Sequence, residues 1–195
     1  MLRKGKESDA NILAKIHISE LHADFLPQLG EKFLSLLYTN FFLSENTYIW
    51  VSEEEKHVQG FIVGSVHFSS VFKKILTKHF VNYAFLLPAQ IVKRPSIIKN
   101  VFETFFYVKK EGANLPDAEL IVISILKQYQ RKGLGRKLVF QLERNLLSHG
   151  IKTYKVSVNA TNSAAHAFYT SVGFKKHSEF TLYGKKLNLL IKQIQ

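Results

Sequence analysis

The 195-residue chain contains no cysteine, so neither a disulfide nor thiolate chemistry is available to it. That usage fits a reducing cytosol. The first residues, Met1-Leu2-Arg3-Lys4-Gly5-Lys6, lack the apolar core and cleavage site of a signal peptide. No uninterrupted apolar run approaches the length of a membrane span, and the expectation is a cytoplasmic protein. The eight histidines show no metal-ligand spacing, no His-Glu-x-x-His run occurs and carboxylates do not cluster, so no metal is expected. Acidic residues are scarce, 15 against 27 Lys and Arg, which leaves a formal charge of +12. Such a balance attracts anions, and a nucleotide cofactor, a nucleic acid and an anionic lipid surface all qualify. No DNA- or RNA-binding motif is present, and neither repeats nor low-complexity tracts occur.

What is present is a 46% apolar chain, long enough for one domain with a sizeable core over residues 1–195. Helical and strand-like stretches alternate, which argues for an α/β or α+β architecture. Leu2–Lys4 reads as a short strand. Ser8 or Asp9 then caps a helix to about His22, with Ile12, Leu13, Ile16 and Leu21 inward. Phe33, Leu34, Leu37 and Phe41 mark a second amphipathic helix. Thr47–Ser52 and Val58–Phe68 read as a hairpin, with Gly60 and Gly64 at a bulge or close contact.

From Ser69 to Pro116 the pattern turns helical. Phe72, Ile75, Leu76, Phe80, Tyr83 and Leu87 fall on one face, and Ile97–Lys110 forms a further helix. Between Ser70 and Lys110 eight basic residues face Glu103 alone, and Phe102, Phe105, Phe106 and Tyr107 crowd together. This stretch reads first as a lid or wall of a binding site, second as plain packing, third as a surface for an anionic partner.

The informative stretch follows. The apolar run Leu120–Leu126 suits a buried strand, and Leu138, Val139, Leu142 and Leu146 recur at helical spacing. Between them lies Gln130-Arg131-Lys132-Gly133-Leu134-Gly135, so strand, basic glycine-containing turn and helix succeed one another. Glycines let backbone approach a ligand, and a helix start offers free N–H groups with a positive dipole end. Arg136 and Lys137 add charge there, and a phosphate cradle results. It is not a Walker loop, since no Gly-Lys-Ser/Thr follows, nor the Rossmann fingerprint, whose third glycine would fall at Leu138. Downstream, Thr153–Asn159 reads as a strand and Asn162 as the cap of a helix that stops at Gly173. Phe174–Lys176 and Phe180–Tyr183 are expected to pair as a hairpin, with Leu187–Ile191 closing the sheet.

Gln130-x-x-Gly133-x-Gly135 after a strand resembles the acetyl-CoA-binding motif of the GNAT superfamily of N-acetyltransferases. Asn162-Ser163-Ala164-Ala165-His166-Ala167-Phe168-Tyr169, followed by Gly173-Phe174, resembles that family's second conserved segment. The resemblance covers roughly Asp117 to Lys176. It implies a mixed, mostly antiparallel twisted sheet of about seven strands flanked by helices, with 69–116 inserted between the third and fourth strands. It implies acetyl-CoA as co-substrate and transfer of an acetyl group to a primary amine by direct attack. The acceptor stays open between small molecule and protein amine, as does a homodimer; no nucleic acid is expected as a partner.

By the same resemblance, the backbone around Ile125, Leu126 and Lys127 holds the pantetheine arm, with the Ile125 N–H on the acetyl carbonyl. The N–H groups of Arg131, Lys132, Gly133, Leu134, Gly135 and Arg136 hold the pyrophosphate, Gln130 belongs to the same cofactor-binding motif, and Asn162 contacts the arm or merely caps its helix. Tyr169, seven residues after Asn162, matches the general acid. Glu119, eleven residues before Gln130, matches the strand glutamate that serves as base in the histone-acetyltransferase branch. Burial beside a cleft would suit a carboxylate for that role, although a plain carboxylate at a strand start is an equal alternative. Asn159 stands where some relatives carry a second carboxylate. His22, Asp24 and Phe25 are candidate acceptor contacts or ordinary loop residues.

Overall fold

The computed structural model describes residues 1–110 and 115–195, with side chains described throughout these except at 89, 102 and 105–110. The aromatic cluster expected at Phe102, Phe105, Phe106 and Tyr107 therefore lies outside the described side chains. Seven strands form one sheet: β1 (Leu2–Lys4), β2 (Thr47–Glu54), β3 (His57–Ser65), β4 (Glu119–Ile125), β5 (Thr153–Asn159), β6 (Lys175–Leu182) and β7 (Lys185–Gln193), in the order β1-β2-β3-β4-β5-β7-β6. All neighbours are antiparallel except β4 and β5, whose parallel ladder consists of the single pair Glu119–Lys155. Past that pair the two strands part.

Successive side chains of a strand point to opposite faces, and β3 shows what that does to a central strand. Phe61 and Val63 are buried on one face, with Leu13, Ile16, Leu34, Leu37 and Tyr38 of α1 (Ala10–Glu20) and α2 (Glu31–Phe42). Ile62 is buried on the other, with Leu138, Leu142 and Leu146 of α7 (Leu134–Ser148) and Tyr169 of α8 (Ser163–Ser171). Gly64 lies at a register shift against β4, and a Cβ there would come within 2.5 Å of the Leu142 side chain. Helices α3 (Phe68–Lys78), α4 (Phe80–Leu86), α5 (Pro88–Lys93) and α6 (Ile97–Lys110) fill the stretch between β3 and β4 and extend the first face.

Four local readings are corrected. The buried stripe of α1 is Ala10, Leu13, Ala14 and His17 with Ile16, whereas Ile12 is 38% exposed. Spacing of three, four and seven from Ala10 sets that stripe, and the small alanines let α1 approach the sheet. β3 ends at Ser65, and Phe68 instead opens α3, its N–H bonded to the Asp117 carbonyl at 3.2 Å. The helical face expected across Phe72–Leu87 breaks at His79, where α3 ends and α4 restarts in a new phase, so Phe80 is 59% exposed. Lys175–Leu182 is one strand, absorbing its irregularity as a register shift between Lys176 and Ser178. Its hairpin partner is β7. Tyr183 and Gly184 both take positive φ, 54° and 69°, the handedness that suits a tight two-residue hairpin turn.

Candidate active site

The site is built where β4 and β5 diverge. The Leu126 N–H is bonded to the Gln59 carbonyl at 2.9 Å. N–H groups alternate sides along an antiparallel strand, so that of Ile125 points toward β5, which has already turned away. Among the expected arm-holding residues, Leu126 is thus committed to β3 through its N–H, while Ile125 presents its own to the gap. The Ile125 carbonyl accepts from Gln130 Nε2 at 2.8 Å, which ties the turn back onto the strand end.

The chain then makes a 3-10 turn at Lys127–Tyr129, and Arg131 adopts φ 59°. Gly133 follows at φ 78°, a left-handed conformation that costs glycine little and caps the start of α7. The first bond into α7 runs from the Lys137 N–H to the Gly133 carbonyl at 3.2 Å, so Leu134, Gly135 and Arg136 supply the N–H groups of the open first turn. A Cβ on Gly135 would come within 2.9 Å of the Phe168 ring. Close packing of α7 on α8 requires glycine here. Lys132 Nζ stands 5.5 Å from the Tyr129 ring centroid, and Arg136 Nη2 reaches the Ser171 carbonyl at the end of α8, 3.3 Å away. The turn, its αL residues and its basic side chains fit a pyrophosphate.

On α8, the Asn162 side chain accepts the Ala165 N–H at 3.0 Å, the capping geometry. Tyr169 is buried between Phe168 and Phe174, ring centroids 5.2 and 5.3 Å away, and burial pushes its hydroxyl well above the ordinary phenol range. It stays protonated at neutral pH. His166 Nε2 lies 3.2 Å from both the Asn159 carbonyl and Asn188 Nδ2, at the open end of β5.

Glu119 is placed elsewhere. It starts β4 at the closed end, paired with Lys155 Nζ at 3.7 Å, and Lys155 is fully buried. Six residues of strand, about 20 Å at 3.3 Å each, separate Glu119 from Ile125. Nothing in the sequence marks Lys155, which reads as one polar position of an alternating strand. A shallow depression of about 360 Å³ beside His67, Asp117 and Lys152 also lies at this closed end, away from the parted strands.

A second wall faces the open end. Glu20 Oε2 is 3.4 Å from Gln130 Nε2, and the Ala23 carbonyl accepts from Lys185 Nζ at 2.6 Å. Phe25 packs on Tyr183 with centroids 4.4 Å apart. Helix α6 closes on the same tyrosine: its Glu103 accepts the Tyr183 N–H at 2.6 Å, and Thr104 Oγ1 is 2.7 Å from the phenol oxygen. Of the expected acceptor contacts, Phe25 belongs to this wall. His22 Nδ1 lies 3.3 Å from the Ser19 carbonyl, and Asp24 is exposed beside Lys185. No metal-binding group of three His or acidic side chains exists among the described residues, nor a helix long and apolar enough to cross a membrane.

Fold and site together define a class: α/β sheets that open between two parallel strands beside a glycine-capped helix start. A model of the acetyltransferase (GNAT) family matches residues 16–174, and the chain belongs to that family. It is 42% identical over 62 residues to the [ribosomal protein bS18]-alanine N-acetyltransferase of Escherichia coli strain K12, spanning 32% of this chain and 42% of that enzyme. The crystal structure of the Escherichia coli ribosomal-protein-S18-alanine N-acetyltransferase superposes over 100% of this chain and 94% of its own, with a TM-score of 0.59 and 19% identity. The PaiA N-acetyltransferase of Thermoplasma acidophilum in complex with coenzyme A superposes over 99% and 98%, with a TM-score of 0.62 and 15% identity. At those identities the superpositions carry the fold alone.

Proposed function

We propose that the chain is an acetyl-CoA-dependent N-acetyltransferase, a single domain over 1–195, that acetylates a primary amine by direct attack in a ternary complex. The observation that carries this reading is the Ile125 N–H facing a gap whose mouth leads to the Arg131–Arg136 turn. Bound acetyl-CoA would supply an activated thioester carbonyl and a thiolate leaving group. The backbone of Ile125 and Lys127 would bind the arm, and the N–H groups from Arg131 to Arg136 the pyrophosphate. The Ile125 N–H would polarise the carbonyl oxygen as charge builds on it. Tyr169, neutral at pH 7, would protonate the departing thiolate.

The resemblance offers Glu119 as the base, but it stands at the closed end of the gap, six residues of strand and about 20 Å before Ile125. The buried ion pair to Lys155 favours a second reading, in which Glu119 holds β4 and β5 together below the point where they part. Glu119→Gln separates the two. A base role lowers the rate and alters the pH–rate profile at constant acetyl-CoA affinity, whereas a clamp role lowers thermal stability and leaves the profile unchanged. A small-molecule amine is the favoured acceptor. Calorimetry with acetyl-CoA, followed by an amine screen for CoA release, tests the whole reading. A chain that binds acetyl-CoA yet releases no CoA with any amine would be a non-catalytic binding module.

A further inference from the structure

The stretch between β3 and β4 encloses a cavity of about 280 Å³ against α2 and residues 25–29. Its wall is mostly carbon, with Phe25, Leu29, Leu37, Phe72, Ile91 and Val101 among others, and no acidic, basic or histidine side chain lines it among the described residues. Both hydroxyls among the described lining residues already have a hydrogen-bond partner. Tyr83 accepts from Asn40 Nδ2 at 3.0 Å, and Thr104 Oγ1 donates to the Asn100 carbonyl at 2.8 Å while lying 2.7 Å from the Tyr183 hydroxyl. A charged or strongly hydrogen-bonding occupant would lose its hydration here with little in return, whereas hydrocarbon gives up no hydrogen bonds to water. An apolar cavity of about 150 Å³ suffices for benzene, so this one takes an aromatic ring with several further carbons.

Its position is informative. Residues 20–25 run from the donor turn, where Glu20 meets Gln130, past Ala23 on Lys185, to Phe25 on the cavity wall. Tyr183, which touches both Phe25 and Thr104, sits beyond the Leu187–Asn159 pair, off the open end of β5. The cavity thus adjoins the end of the gap at which the Ile125 N–H is presented. Three residues of its lining, Phe80, Ala84 and Pro88, are exposed to solvent.

We propose that this cavity holds the uncharged hydrocarbon part of the acceptor, making the substrate an arylalkyl- or alkylamine rather than an amino sugar or a polyamine. The proposal rests on the acetyltransferase reading above. Its test uses the full chain and three amines: 3-phenylpropylamine, glucosamine and spermidine. A non-acceptor probe, 3-phenylpropan-1-ol, reports the cavity by calorimetry without acetyl-CoA. The expected result is saturable binding of the alcohol, its competition with 3-phenylpropylamine, and a kcat/KM for that amine at least about tenfold above the other two.

Ala84→Trp, which adds bulk to the lining at an exposed position, should raise KM for 3-phenylpropylamine about tenfold, and Phe80→Ala should raise it less. Unchanged acetyl-CoA affinity in both variants would report an intact fold. Equal or better turnover of glucosamine or spermidine, or no binding of the alcohol, overturns the hydrocarbon site and leaves the acetyltransferase reading standing. Absence of both acetyl-CoA binding and CoA release overturns the two together.

Discussion

The two faces of the sheet are built by different means. On the α7 and α8 face, the candidate donor site is made of backbone: an N–H left over where strands part, a glycine at φ 78°, the first turn of a helix. On the α1 and α2 face, the opposing wall is made of side-chain volume, where Phe25, Leu29, Phe72 and Tyr83 surround a space and no single residue is obligatory. A backbone device demands glycine at fixed places and leaves a spaced motif. A volume device can be met by many combinations of apolar side chains and leaves only hydrophobicity. One face therefore announces its ligand in sequence, and the other does not.

The seam between the faces should give the largest effect. Lys155→Met leaves Glu119 without its ion-pair partner in the buried seam, and thermal or denaturant unfolding should show a loss of about 3–5 kcal/mol. The double variant with Glu119→Gln should recover a good part of it, and full additivity of the two losses would mean that the pair is not coupled.

Next comes a probe of the volume-built face. His17 is buried on α1 with its Nδ1 2.6 Å from the Tyr38 hydroxyl, and burial lowers its imidazole to about 4. The unfolded chain binds that proton more readily, so stability falls as pH drops through 6.5 and levels off below about 4. The loss is on the order of 3 kcal/mol. Urea titrations across that window should lose most of this slope in His17→Gln.

On the backbone-built face, Tyr169→Phe should lower kcat roughly 100-fold with little change in acetyl-CoA affinity. A wild-type kcat in that variant would remove Tyr169 from proton transfer. The smallest effect sharpens the comparison most. A Cβ at Gly133 meets nothing within 4 Å, so only φ and charge resist substitution. Gly133→Asn, which tolerates αL, should weaken acetyl-CoA binding a few-fold, and Gly133→Asp, which adds negative charge to the cradle, about tenfold or more. Equal losses for the two would mean that charge plays no part.

Much of the frame was legible. The order of strands and helices from Leu2 to Asn162 followed from periodicity except across Phe68–Lys93, where one expected helical face is three helices, and both motif segments lie on the elements expected of them. Ile12 was misplaced because its neighbours Ala10 and Ala14, weak hydrophobic signals, form the true stripe. Phe80 was misplaced because a helix break at His79 changes phase without a proline or glycine to mark it. Lys175–Leu182 was split because His177 interrupts its pairing with β7 as an irregularity that composition does not encode. Asn162 could be read as a cap from its type and place alone, since capping is a local interaction, and its side chain does cap α8.

What the sequence by itself determined is the family, the strand–turn–helix cradle and the helix bearing Tyr169. Each depends on contacts within a few residues, where backbone geometry restricts which amino acids can stand. Tertiary structure alone decided that Lys155 meets Glu119 at the closed end of the gap. It alone brought Glu20 to Gln130 and Phe25 to Tyr183, residues 110 and 158 positions apart. Such pairings follow from how elements pack, and packing depends on the summed shape of many side chains rather than on the identity of any one.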